Sequence, residues 1–176
     1  MGGFTGDDRA SVLLMIAHTF LATAAATLFA ALPAAVEVNF QTVTNGAVLA
    51  VCTQALDGSF DMNNAEDLDE WGLTPGTASE EAQMREDIPG IELANAAFDN
   101  GAVLVGYIPG KSCGVHIQGR DRVATRDSLI HTMLETGIKA SSSTDEDGDE
   151  VIAFPFAGHP IYVYTTTEGN IMVQVR

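Results

Sequence analysis

The spacing of apolar residues along the chain changes several times, and each change marks an element. From Ala10 to Val36 no charged residue occurs; Leu13-Leu14-Met15-Ile16, Phe20-Leu21 and an alanine-rich run ending Leu28-Phe29-Ala30-Ala31-Leu32 form one apolar stretch. Between Gln41 and Leu56 the spacing becomes helical. Val43, Ala47, Ala50, Val51, Gln54 and Ala55 fall on one face, Val48, Leu49 and Cys52 on adjoining positions, and only Gly46 interrupts the pattern. Asp57-Gly58 ends this helix. Asn63 or Asn64 caps a second, short helix that carries Leu68 and Trp71 and stops at Gly72. Thr74 to Gly90 is polar, acidic and bracketed by Pro-Gly pairs, which predicts a long surface loop with one helical turn around residues 80–85.

The second half alternates instead. Ala102 to Ile108 and Cys113 to Gln118 read as two strands joined by a Pro109-Gly110-Lys111 turn, a hairpin. Thr125 or Asp127 opens a helix with Leu129, Ile130, Met133 and Leu134 on its apolar side, closed by Gly137. Ser141 to Glu150 is too polar to pack and reads as a mobile acidic linker. Val151–Phe156, Ile161–Thr166 and Ile171–Val175 are three further strands, separated by Gly158-His159-Pro160 and Glu168-Gly169-Asn170 turns. The order is N-terminal helices followed by ββαβββ. It predicts a single α+β domain over residues 36–176, one antiparallel sheet backed by helices.

Composition narrows the setting. The chain has 176 residues, 24 acidic and 8 basic, for a net charge of −16, and 46% of it is hydrophobic. That apolar fraction excludes an intrinsically disordered chain. Eight scattered cations cannot neutralise a run of phosphates, so nucleic acid is excluded as partner, and an anionic membrane surface is disfavoured. The apolar N-terminal stretch ends in Leu32-Pro33-Ala34-Ala35, small residues of the kind that precede signal cleavage. Residues 1–35 are therefore expected to be a signal peptide. Asp7 and Asp8 make a poor leading segment, which a start at Met15 would remove. An uncleaved membrane anchor and a buried helix are the alternatives, since the stretch is just long enough to span a bilayer. No cysteine lies near residue 35 to carry a lipid.

Cys52 and Cys113 form an even pair with no CxxC and no neighbouring histidine at metal spacing. In an oxidising compartment they pair as one disulfide, pinning the first helix to the start of a strand. Two buried free thiols are the alternative.

Other chemistry is weakly signalled. Gly106-Tyr-Ile-Pro-Gly110-Lys111-Ser112 resembles a phosphate-binding loop, but has three residues between its glycines where four are needed, and a strand follows where a helix should. Asp145 to Glu150 lacks the glycine and glutamate positions of a calcium loop. His116, His131 and His159 fall on a strand, a helix and a turn, with no HxH or HxxxH spacing, so no metal site is expected. Cys113 and His116 would make a thiol–imidazole pair only if the thiol were free. No catalytic residue and no cofactor is assigned. The aromatic residues are more informative. Phe154/Phe156 and Tyr162/Tyr164 alternate on adjoining strands, each pair lining one sheet face, and an exposed tyrosine face would be a binding surface. Trp71 is the third candidate interface residue, with core packing beside Leu68 and Leu73 as its other role.

An apolar leader, a first helix with a mid-helix cysteine, an acidic stretch ending in Trp71-Gly72 and a hairpin bearing Lys111-Ser-Cys-Gly-Val115 together resemble small two-cysteine exported bacterial proteins of unknown function. The resemblance spans roughly residues 40–118, implies a periplasmic or secreted location, and contributes no catalytic residue. The expectation is an exported, non-enzymatic domain that binds or inhibits another protein through its sheet face or acidic loops. Such a domain would carry an exposed apolar or aromatic patch rimmed by acids. A membrane-anchored accessory subunit with an acidic outer domain is the second reading, and a hydrolase of unrecognised type the third.

Overall fold

The computed structural model describes residues 38–156 and 158–176, so the leader or anchor expected over residues 1–35 lies outside the described residues. Asn39 opens the first helix, its side-chain oxygen accepting from the Thr42 backbone N–H at 3.0 Å. The helical rod runs without a break through α1 (Phe40–Gly46), a π-helical segment (Ala47–Val51) and α2 (Cys52–Leu56). A π turn holds an extra residue and shifts the phase of everything after it. Val48, Val51, Cys52 and Ala55 are consequently buried, whereas Gln54, expected on the inner face, is exposed. Gly46 is required in mid-rod because the Trp71 indole lies over it; a Cβ there would sit 2.6 Å from the ring. Asn64 caps α3 (Ala65–Glu70), and Gly72, in the left-handed region at φ 69°, follows its end.

The stretch expected to be mostly loop holds a three-turn helix, α4 (Ala78–Asp87). None of its residues is fully buried, so it shows no apolar period. A capping box starts it instead: Thr77 Oγ1 accepts from the Glu80 N–H at 3.2 Å, and the Glu80 carboxylate accepts from the Thr77 N–H at 2.8 Å. The Thr77 backbone N–H, contributing most, and the Thr77 hydroxyl, which donates to the same carboxylate at 2.8 Å, hold the Glu80 carboxyl below its ordinary pKa.

Eight strands form one sheet: β1 (Thr74–Pro75), β2 (Glu92–Phe98), β3 (Gly101–Ile108), β4 (Ser112–Gly119), β5 (Ser141–Thr144), β6 (Glu150–Phe156), β7 (His159–Thr165) and β8 (Ile171–Val175). The order is β1-β2-β3-β4-β8-β7-β6-β5, and every pairing is antiparallel. The fold is α+β with a single antiparallel sheet, as expected, but β1, β2 and β5 extend it beyond the five strands read from the pattern. Ser141–Thr144, read as linker, pairs residue for residue with β6. The acidic turn after it is closed on itself, Asp145 accepting from the Asp147 and Asp149 backbone N–H groups at 3.0 and 2.9 Å. The last helix, α5 (Arg122–Glu135), begins three residues before Thr125.

One face of the sheet carries the core. Reading across the strands, Ala94, Val105, Val115, Val173, Val163 and Ile152 form one row, and Tyr107, Cys113, Val175, Ile161 and Phe154 the next. The helical rod and α5 cover these rows side by side, joined by Asn45 donating to Thr132 Oγ1 at 3.3 Å. Two ties fix the rod to the sheet. Cys52 and Cys113 form a fully buried disulfide with Cα atoms 5.4 Å apart, and the Tyr107 hydroxyl donates to the Ala55 carbonyl at 2.8 Å. Among the described residues no helix is long and apolar enough to cross a membrane.

Candidate functional site

Because strand side chains alternate, the opposite face of the sheet is set by the same register. Its rows read Leu93, Gly106, Gly114, Gln174, Tyr162 and then Asn95, Leu104, His116, Met172, Tyr164. Gly106 and Gly114 are direct cross-strand partners, so neither of these two adjacent positions contributes a side chain of its own to the middle of this face. Leu104, Met172 and Tyr164 of the sheet and Met84 and Ile88 of the α4 region line the space around the gap. The result is a groove of about 560 Å³. Its lining is mostly apolar, and Met172, on a central strand, is 48% exposed. A Cβ on Gly114 would meet nothing closer than 3.9 Å, so the space above it is open, whereas one on Gly106 would press on Ile91 at 3.1 Å.

The groove is closed along the β2 edge by three contacts of low sequence separation. The capping box sets the start of α4, Glu81 and Arg85 form an ion pair at 3.0 Å one turn on, and Arg85 Nε donates to the Ile91 carbonyl at 3.3 Å. At the other end lies a smaller polar pocket of about 350 Å³, lined by Gln118, Arg120 and Arg122 and sharing His116 and Asn170 with the groove. The Gln118 side-chain amide lies 3.1 Å from His116 Nδ1. Among the described residues no carboxylate lines either cavity.

The residues singled out by sequence are distributed as follows. Tyr164 lines the groove and Tyr162 is its neighbour on the same face, ring centroids 6.4 Å apart, with the Arg176 guanidinium 5.5 Å above the Tyr162 ring. Phe154 is on the other face, fully buried. Trp71 is half-buried on the helical side, packed against Gly46 and the core, and is not brought together with the tyrosines. Cys52 and Cys113 are joined, so neither is a thiol.

The histidines occupy three environments. His116 is in the groove, His131 is exposed on α5 with Nε2 3.2 Å from Glu135, and His159 bridges two chain segments. His159 Nε2 is 2.9 Å from an Asp57 carboxylate oxygen and Nδ1 3.2 Å from the Arg176 carbonyl. Both partners are acceptors, so a protonated ring can donate to each, which favours the charged form. The Asp57 hydrogen bond raises its pKa most, burial opposes, and the Arg176 carbonyl and the Asp57 charge add. Among the described residues no group of three His, Cys, Asp or Glu could hold a metal ion.

Sequence reading did not single out Leu104, Met172, Met84 or Ile88, and it met Gly106 only in a rejected phosphate-loop pattern and Gly114 only within the hairpin segment Lys111–Val115. The alternation that places Leu104 with Gly106, and Gly114 with His116, was present in the strand pattern, but the facing of the two glycines depends on register. Comparison with protein-family models, with curated proteins and with solved structures found no match for this chain.

Proposed function

We propose that this chain is an exported, non-enzymatic binding domain that holds its ligand in the groove on the uncovered sheet face. The observation that carries this reading is the Gly106–Gly114 pair at the groove floor. Glycine weakens a strand interior by roughly 0.5–1 kcal/mol relative to alanine. Two glycines facing each other on central strands therefore cost stability, and what they create is concave, apolar space. A volume near 560 Å³ falls within the range of roughly 300–1,000 Å³ typical of small-ligand sites.

The groove suits binding better than catalysis. His116 is the only imidazole in it and faces an amide rather than a carboxylate, so the base-and-orienter arrangement of acid–base chemistry is not assembled there. The protein partner expected from sequence is correspondingly narrowed: a slot lined by Met84, Ile88 and Tyr164 takes an inserted chain, not a flat protein face. Export is supported by the Cys52–Cys113 bridge, which persists in oxidising compartments, and by the uncharged stretch from Ala10 to Val36.

The test uses the neutral, environment-sensitive dye N-phenyl-1-naphthylamine. The purified protein is expected to bind it with enhanced fluorescence. Gly114→Leu, whose Cβ would meet only the Gly106 and Val173 carbonyl oxygens at ordinary contact distances of 3.9 and 4.0 Å, is expected to weaken that binding by about tenfold or more while the melting temperature stays within a few degrees. Folded wild-type protein that gives no enhancement, or a Gly114→Leu variant that binds equally well, would overturn the reading.

A further inference from the structure

Resting on that groove reading, we infer that the ligand is a free single-chain amphiphile with an anionic head. Its alkyl chain would lie over Gly106 and Gly114 and its carboxylate in the polar pocket at Arg122. The first support is continuity. The apolar groove and the polar pocket meet at His116 and Asn170, so one molecule can occupy both.

The second support is the charge state of that pocket. Three arginines lie close in sequence here. Arg120 pairs with Asp121 at 3.5 Å, and Arg126 with Asp127 at 2.8 Å and Glu150 at 3.6 Å. Arg122 is half-buried and, among the described residues, has no carboxylate within 4 Å. In a chain with 24 acidic residues, leaving a half-buried guanidinium without a counter-charge is not a matter of supply. Two carbonyls aim it: Nε donates to Gly169 at 2.8 Å and Nη1 to Gly119 at 3.1 Å. Nη2 is left without a protein acceptor among the described residues, and a carboxylate is the acceptor that best matches a guanidinium edge. The Gln118 and Asn170 amides and the His116 imidazole are further polar groups lining the same pocket.

Shape sets the rest. The floor is a single cross-strand pair of glycines between Leu93, Leu104 and Met172, a slot that admits an unbranched chain. The net charge of −16 keeps the domain off anionic bilayers, so the amphiphile is taken as a dissolved molecule. At physiological ionic strength charges beyond about 8 Å are screened, so the charge beside the head group that counts most is Arg122.

The experiment is displacement of bound N-phenyl-1-naphthylamine by three twelve-carbon competitors: dodecanoate, dodecanol and dodecyltrimethylammonium. Dodecanoate is expected to displace at a concentration roughly tenfold or more below the other two. Raising salt from low to physiological strength is expected to weaken dodecanoate and leave dodecanol unchanged. Arg122→Gln should weaken dodecanoate by about tenfold with dye and dodecanol binding intact, and Lys111→Gln, at the opposite end of the β3–β4 hairpin, should change nothing. If Arg122→Gln loses dye binding because it fails to fold, the salt titration of the wild-type protein decides. Equal displacement by all three competitors would overturn the anionic head while leaving the groove reading intact. Stronger displacement by an apolar, basic peptide than by dodecanoate would overturn the amphiphile in favour of a protein ligand. Absence of dye binding to folded wild-type protein would sink both.

Discussion

Replacing Cys52 and Cys113 by alanine should lower the melting temperature by about 14 °C or more, and the magnitude can be worked from the chain. The bridge joins residues 61 apart. In the loop-entropy treatment a cross-link of that span removes from the unfolded ensemble states worth about 4 kcal/mol at 25 °C. A domain of roughly 140 residues unfolds with an entropy near 0.3 kcal/mol/K, so 4 kcal/mol corresponds to about 14 °C. The sulfurs are fully buried, so truncation to alanine also leaves unfilled volume costing on the order of 1 kcal/mol. Thermal denaturation followed by circular dichroism separates the two contributions. Oxidised against reduced wild type reads the cross-link, because the sulfurs stay in place; reduced wild type against the double variant reads the lost volume. If oxidised and reduced protein melt within about 3 °C of each other, the entropic account is wrong, and the two free thiols hold the rod to β4 as well as the bridge does.

Two further outcomes follow from local geometry. The His159 pKa is raised in the folded protein, chiefly by its hydrogen bond to Asp57. Its contribution is therefore fully present below the unfolded value near 6.5 and is lost as pH rises through the folded value. Melting temperatures of wild type and His159→Gln measured from pH 5 to 9 should differ most at the acid end and converge at the alkaline end; a gap that widens with pH would refute the doubly donating ring. Thr77→Ala removes the Oγ1 that caps α4, at a cost of about 1 kcal/mol to a helix with no fully buried residue. The loss should appear as faster amide hydrogen exchange confined to residues 78–87, with weaker dye binding because Met84 and Ile88 lose their support. The Glu80 carboxylate, held below its ordinary pKa, contributes to the same box above its unfolded value, and that contribution fades as pH falls through the folded one.

What sequence reading recovered and what it missed divide along one physical line. Elements that bury an apolar face announce themselves by period, which is why the first helix, the β3–β4 hairpin, α5 and β6 to β8 were legible. The missed elements bury no such face. β2 (Glu92–Phe98) turns Ala94 and Ala96 to the core, residues with little strand preference that are there because the rod packs close. β5 is Ser-Ser-Ser-Thr, exposed throughout and held by backbone pairing alone. α4 has no apolar stripe, although Thr77-Ala-Ser-Glu80 was a readable capping box. The π segment defeats pattern reading differently: it advances the phase by one residue, so a strict α-helical projection assigns Gln54 the place that Cys52 and Ala55 share. The groove was least legible, since no single residue carries it and it exists only where the Gly106–Gly114 register brings two absences together.

That register also explains why the strongest ties of the fold lie where they do. Tyr107 and Cys113 are cross-strand partners, each the immediate chain neighbour of a groove glycine, and they point to the helical face while Gly106 and Gly114 add no side chain to the other. At this level of the sheet β3 and β4 receive no side-chain packing from the glycines on the groove side. On the core side the same pair carries both long-range attachments to the rod: the Cys52–Cys113 bridge and the Tyr107 hydroxyl on the Ala55 carbonyl. The bridge at about 4 kcal/mol exceeds the roughly 1–2 kcal/mol that two strand glycines forfeit. A concave site on a central pair of strands is thus stable because its underside is cross-linked. The structural role of the two cysteines and the binding role proposed for the two glycines are then one arrangement seen from opposite faces. Reduction should accordingly loosen the groove as well as the fold, so dye affinity should fall on reducing the wild-type protein even at temperatures where it remains folded.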